Sequence, residues 1–319
     1  MPDGEQSSSK VTYLSLVASC DDFPYGPAAD KYYQLYLPND DEPHGYMLPE
    51  TVQKMPWTTD FEVQHSHPRK VLVLDKSKGR DTANAVNEAF SAVVTSCIEQ
   101  SLFHVLVGQH SEPFAVVGAR YDKPVYVERF AAALFGVTTR GAHMVAYHRD
   151  KNGMKVWVPR RAAHLYTYPN MLDTTVAGGV KSGVPPFQTI VEESDEEASL
   201  PEDLVRQRAV CRGVISHMNV TGQDFPGEQG LVTPDYVYVY DIELPQDVIP
   251  KPHDDEVNSF TLMSVDELQA ALLHEEFKPD SAAVLVDFLI RHGVITPENE
   301  PEFVEISMRL HRRLPFRTG

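Results

Sequence analysis

The alternation of side chains is clearest in "DYVYVYDIELP", where Tyr236, Tyr238 and Tyr240 share one face of an extended strand and Val237 and Val239 the other. Short runs of β-branched and aromatic residues in "YYQLYLP" and "RKVLVLD" predict two further strands. "HMVAYHRD" and "MKVWVPRRA" predict two more, joined at Asn152-Gly153, a strong hairpin-turn pair. A period near 3.6 predicts an early helix in "VTYLSLVASCDDFP", burying Leu14, Leu16 and Val17. The same period predicts a long helix over 82–100, with Ala85, Phe90, Val93, Val94 and Cys97 on its apolar stripe. "EPFAVVGARY" and "YVERFAAALFGV" suggest a strand and a short helix. A helix begins near Pro201, with Glu202 and Asp203 in its first turn, where the dipole favours anions. "MSVDELQAALL" and "DSAAVLVDFLIRHG" read as closing helices with Ser or Asp at the cap, the second stopping at Gly293.

The stretch from Gly178 to Ser199, "GGVKSGVPPFQTIVEESDEEAS", carries the candidate chemistry. Pro185 and Pro186 suit a helix start. Phe187, Ile190, Val191, Ser194 and Ala198 then follow a helical period. Glu193, Glu196 and Glu197 stand at i, i+3 and i+4, so their carboxylates converge on one face, where like charges repel. A bare acidic helix reads as a solvated surface. A glycine turn that lets backbone approach a ligand, followed by paired glutamates between strands, instead favours a hard cation such as magnesium with phosphate oxygens.

Composition narrows the class. The 319 residues suit two ordinary domains, or one large domain with additions, and 42% hydrophobic residues suffice for a globular core. The character of the chain changes near Gly141, which predicts an N-terminal α+β domain over 1–140 and a second domain over 141–319. The second reads as a mixed sheet flanked by helices. A net charge of −18 argues against a nucleic-acid binder. No apolar run approaches the ~20 residues of a membrane span, and the start lacks the regions of a signal peptide. Three dispersed cysteines suit reduced thiols, so a cytoplasmic or other reducing interior is expected.

The spacing of the acidic stretch resembles the signature of the Nudix hydrolases: Gly, five residues, Glu, seven residues, then Arg-Glu-apolar-any-Glu-Glu-any-Gly-apolar. With Gly178 as the first glycine, Glu193, Glu196 and Glu197 fall on the three metal-binding glutamates. Val184 takes the place of the loop Glu, Glu192 that of the Arg, Ser194 that of an apolar residue and Ser199 that of the second Gly, while Leu200 keeps the closing apolar position. "VWVPRRAAHLYTYPNMLDTTVAGGVKSG", "DYVYVYDIELP" and "FLIRHGVITPENEPEF" resemble, more narrowly, the eukaryotic Nudix group linked to thiamine diphosphate metabolism, which carries an extra N-terminal domain.

The resemblance implies an α+β fold with a Nudix-type mixed sheet between helices, preceded by a smaller α+β domain that sets substrate specificity. It implies magnesium, or manganese, held by Glu193, Glu196 and Glu197, with Glu196 or Glu197 in the catalytic role. It also implies a further acid from outside the helix, for which Asp235 and Glu228 are the candidates. Arg160 and Arg161 stand where a guanidinium could grip phosphate, or form surface ion pairs instead; Gly178 and Gly179 offer backbone to the ligand. The histidines His143, His164 and His217 lack metal-ligand spacing and read as structural. Alternate tyrosines of "YVYVY" could stack on a substrate ring or pack in the core, and "HDDEV" reads as a solvated loop. The implied reaction removes the terminal phosphate of a small-molecule diphosphate of the thiamine diphosphate kind, especially the damaged oxo and oxy forms. A prenyl or nucleoside diphosphate substrate, and a retired fold kept as a binding module, remain alternatives. The oligomeric state is not legible.

Overall fold

The computed structural model describes residues 10–107, 112–151, 153–223 and 225–318. Its first element, α1 (Tyr13–Ala18), is set by a reciprocal capping box between Thr12 and Ser15. It buries Tyr13, Leu16 and Val17, whereas Leu14 is only half-buried.

Strands β1 (Tyr33–Tyr36) and β2 (Gly45–Met47), helix α2 (Pro49–Lys54), then β3 (Phe61–Gln64) and β4 (Lys70–Val73) build the N-terminal region. Its sheet runs β2-β1-β4-β3, with β1 and β4 parallel and the two outer pairs antiparallel. Helix α3 (Thr82–Glu99) starts on Asp81, whose carboxylate accepts from the Asn84 amide. The helix buries Ala83, Val86, Ala89, Phe90, Val93, Val94 and Cys97. Ala85, placed on the stripe by sequence, is half-buried, because steps of three and four back from Phe90 reach Val86 and Ala83. The ribbon β5 (Pro113–Ala115) and β6 (Tyr126–Glu128), followed by α4 (Ala132–Phe135), completes this region. Leu35, Met47, Val71, Phe90 and Phe135 lie in its core.

The second region is a six-stranded mixed sheet. Strands β7 (Thr139–Asp150) and β8 (Gly153–Arg161) form the predicted hairpin, with Asp150 opposite Gly153. Asn152, the other half of the turn signal, lies outside the described residues. There follow β9 (Val176–Gly179), α5 (Pro186–Ala198), α6 (Glu202–Arg208), β10 (Val210–Val220), β11 (Val232–Glu243) and β12 (Val257–Ser264). The sheet order is β10-β11-β7-β8-β12, and β9 pairs separately with β7. Only the β11–β7 pair is parallel.

Each face of this sheet has its own cover. Val145, Val237 and Val239 pack beneath α1, α7 (Val265–Leu273), α8 (Pro279–Arg291) and α9 (Phe303–Arg309). Ala142, Met144 and Val176 pack beneath α5, through Ile190, Val191 and Ala198. Burying each such large side chain contributes roughly 1.5–3 kcal/mol, which fixes the register of the strands that carry them. Helix α1, early in sequence, therefore packs against α8 and α9 of the second region. Ser264 caps α7 as predicted. Asp280 does not cap α8: Lys278 holds the cap position and Pro279 the first turn. Asp280 turns its carboxylate toward Lys278 at 3.3 Å instead. No described helix is long and apolar enough to cross a membrane.

Candidate active site

The acidic run divides on folding. Pro185 and Pro186 start α5. The helix ends on Ser199, which takes the left-handed conformation at φ +52. That conformation explains the family's preference for glycine there. Glu192, Asp195 and Glu196 are exposed, Glu193 is half-buried and Glu197 is buried. Glu192, at the family's Arg position, accepts a hydrogen bond from Gln188 on the solvent side. Its reversed charge is thereby spent in water.

Glu197 and Glu193 face β9. Glu197 Oε2 accepts from the Ala177 amide at 2.9 Å. Glu193 lies against Gly178, where any side-chain carbon would overlap its carboxylate. Burial, reinforced by Glu196 and Glu256, pushes the Glu193 carboxyl up to about 7. Burial and the neighbouring Glu193 raise Glu197 well above the ordinary carboxylate range, against the pull of the Ala177 amide. Both shifts are those of anions deprived of water and crowded by like charge.

Beside this wall is a cavity of about 360 Å³. Ala177, Gly178 and Gly179 line it, and the same strand meets Glu193 and Glu197; Arg129 and Glu256, which also line the cavity, are within electrostatic reach of Glu193. The N-terminal region contributes Phe114, Arg129, Phe130, Ala132 and Ala133, which makes the cavity a feature of both regions. The two are tied together there: Ser182 donates its amide to the Pro113 carbonyl at 2.7 Å, and Lys181 meets Glu112 at 2.9 Å.

A buried polar network forms another part of the lining. Asp173 pairs with Arg161 at 3.0 Å and Lys278 at 3.4 Å, and Ser281 donates to it. Burial opposes its ionisation, but Lys278 and Arg161 outweigh that and hold it at about 2. Lys278 is correspondingly raised to about 12, because Asp173 and Asp280 outweigh its own burial. Burial, with Lys278 nearby, lowers His143 to about 4, and its Nδ1 meets the Thr174 hydroxyl at 2.9 Å. A neutral His143 in this network is a structural histidine.

The remaining sequence candidates separate. Arg161 lines the cavity, but its guanidinium is bound to the Thr167 and Tyr168 carbonyls and to Asp173; it pins the 166–168 segment. Arg160 is not among the lining residues: it donates to the Asn170 carbonyl and approaches Glu276 at 3.8 Å. Arg129 and Arg140 line the cavity instead, and sequence reading passed over both. Glu228 is held by the His104 and Val105 amides and is not among the cavity's lining residues. Asp235 lines the cavity, but its titratable neighbours are His217 and Asp280, not the glutamates of α5. His164 is exposed, 3.6 Å from Asp255.

The outside acid whose charge reaches Glu193 and Glu197 is Glu256, from "HDDEV". That loop is solvated as expected, yet Glu256 also lines the cavity. The signal available was an acid cluster directly before a strand. Tyr236 and Tyr240 are core residues: Tyr236 packs with Met218 and Phe316, and Tyr240 lies 5.7 Å from Phe187. They do not reach the cavity, because the cavity lies on the sheet face of Val237 and Val239.

The donor set near Gly178 is all carboxylate, which suits a hard divalent cation. Among the described residues no group of three or more His, Cys, Asp or Glu side chains is gathered closely enough to hold a metal ion. The glycine at 178 leaves Glu193 the room it occupies, and the raised carboxyls are those a cation would return to the ionised form.

A mixed sheet between helices, with this glutamate helix beside it, defines a Nudix fold, and residues 138–288 match the family model of the NUDIX domain. The chain is 43% identical over 228 residues to an uncharacterized protein of Saccharomyces cerevisiae, covering 69% of this chain and 66% of that one. It is 34% identical to Nudix hydrolase 20, chloroplastic, of Arabidopsis thaliana over 60% of this chain and 50% of the plant protein. To Nudix hydrolase 24, chloroplastic, of the same plant it is 37% identical, again over 60% and 50%. The chain thus spans about half to two thirds of the length of these curated relatives.

Proposed function

We propose that the chain is a divalent-metal-dependent Nudix hydrolase that converts a small diphosphate to its monophosphate, with thiamine diphosphate or its oxo and oxy forms as the substrate class. The observation that carries the reading is the pair Glu193 and Glu197, crowded and desolvated against the glycines that line the cavity. Water of a reducing interior such as the cytoplasm is the expected setting, given that Cys20, Cys97 and Cys211 are all free.

Glu193 and Glu197 would hold magnesium, or manganese, with Glu196 and Glu256 at the exposed rim. When bound, the ion supplies positive charge to the diphosphate oxygens and acidifies water. The Ala177 amide keeps Glu197 in one orientation. Glu196, exposed on the same helix, is the group assigned to take the proton of the attacking water. The anhydride P–O bond breaks, orthophosphate leaves, and the monophosphate remains. Arg129 and Arg140 supply cations for the phosphate end, and Phe114, Phe130 and Phe225 flat walls for a ring.

The test is phosphate release from oxythiamine diphosphate and thiamine diphosphate with magnesium, beside a Glu197→Gln control. Release requiring both metal and Glu197 supports the reading. Turnover confined to prenyl or nucleoside diphosphates removes the thiamine assignment, and silence with every substrate removes the hydrolase.

A further inference from the structure

We propose that Glu112 is a positioning residue for the phosphate end of the cavity, a built-in anion that holds Arg129 and Lys181 until a substrate phosphate displaces it. The inference deepens the diphosphate reading and rests on it for what enters the cavity.

The Glu112 carboxylate bridges two cations from different regions of the chain. Its Oε1 meets Lys181 Nζ at 2.9 Å, and its Oε2 meets Arg129 Nη1 at 3.5 Å. Lys181 follows β9 in the loop that leads to α5, and Arg129 follows β6 of the N-terminal ribbon. Two oxygens of one anion spanning two cations is also the arrangement that phosphate makes with such a pair. Lys181 is within electrostatic reach of Glu193 and Glu196, and Arg129 of Glu193. A phosphate beside Glu193 is therefore close to both cations that Glu112 holds.

The surroundings keep the cations in place whichever anion they hold. Arg129 lines the cavity, with its guanidinium 5.5 Å from the Phe114 ring centre and 5.6 Å from that of Phe130. Its amide donates to the Glu112 carbonyl at 3.0 Å, and the Ser182 amide donates to the Pro113 carbonyl at 2.7 Å. Arg140 Nη2 donates to the Lys181 carbonyl at 3.4 Å. Rings and backbone make these contacts, so they persist when the Glu112 side chain turns away. Glu112 is half-buried, and water receives its carboxylate as it leaves. A part-exposed ion pair contributes little, whereas a phosphate brings more charge and a further oxygen, so the exchange favours the ligand. The return of Glu112 then helps the released phosphate to depart.

The experiment measures by calorimetry the binding of methylenediphosphonate, whose P–C–P link resists hydrolysis, with magnesium and again in EDTA. Native protein is compared with Glu112→Gln, Arg129→Gln, the double variant and Glu305→Gln, with melting curves to confirm folding. Glu305→Gln removes the same charge from a pair with Arg309 on α9, outside the cavity lining. Glu112→Gln is expected to bind about threefold to tenfold tighter, the scale of releasing two part-exposed ion pairs. Glu305→Gln should bind no tighter than native protein. Arg129→Gln weakens binding and, in the double variant, reduces the gain from Glu112→Gln. Cutting a merely structural bridge between the two regions would weaken binding instead. Unchanged or weaker binding in folded Glu112→Gln, or an equal gain in Glu305→Gln, overturns the proposal. Phosphate release from diphosphates is scored separately. Tighter binding without hydrolysis counts against the hydrolase alone, and hydrolysis without tighter binding counts against Glu112 alone.

Discussion

Gly178 and the Glu193 carboxylate approach each other so closely that no side chain fits between them. The glycine is not required by its backbone, since its φ is not in the positive region. It is required by the carboxylate. Gly178→Ala is therefore expected to fold but to push Glu193 aside, lowering metal-dependent hydrolysis on the order of a hundredfold, the usual effect of a displacement near 1 Å. Steady-state rates beside a melting curve check this; unchanged rates would remove Glu193 from the working site.

Removal of divalent metal should expose the strain in the carboxylate pair. The folded Glu193 carboxyl titrates near 7, above its ordinary 4.5, so the folded protein binds more protons than the unfolded chain between those values. Its contribution to stability is complete below the ordinary value and is lost as pH rises through about 7. In EDTA the melting temperature should fall across that window, and Glu193→Gln should flatten the fall. Magnesium should raise the melting temperature more at pH 8 than at pH 6, because at the lower pH a proton competes for the ligand.

Asp173 anchors the buried network through Arg161, Lys278 and Ser281. Asp173→Asn leaves two half-buried cations short of their counter-charge and is expected to cost about 3 kcal/mol in urea unfolding, the low end for breaking a buried pair. A conversely small effect would mean that Asp280 alone neutralises Lys278.

Ser199 holds a left-handed backbone at the end of α5. Ser199→Gly should relieve roughly 1 kcal/mol of strain and raise the urea midpoint without altering the rate of hydrolysis. A lowered midpoint would show that the serine side chain stabilises the turn.

Much of this molecule is readable locally. The alternation of "DYVYVYDIELP", the 3.6 period of 82–100 and the proline-started acidic helix each dictate an element, because side-chain direction follows from backbone period alone. The spacing from Gly178 to Glu197 likewise determined which carboxylates share a helix face. Period does not determine what covers that face. Only the packing of α5 on β9 decided that Glu193 and Glu197 lose water while Glu192, Asp195 and Glu196 keep it. Only the joining of distant segments brought Glu256 within electrostatic reach of that pair, committed Arg161 to backbone carbonyls, and placed Tyr236 and Tyr240 in the core. The sequence set charge and spacing; desolvation, which turns them into chemistry, depends on neighbours that are remote along the chain.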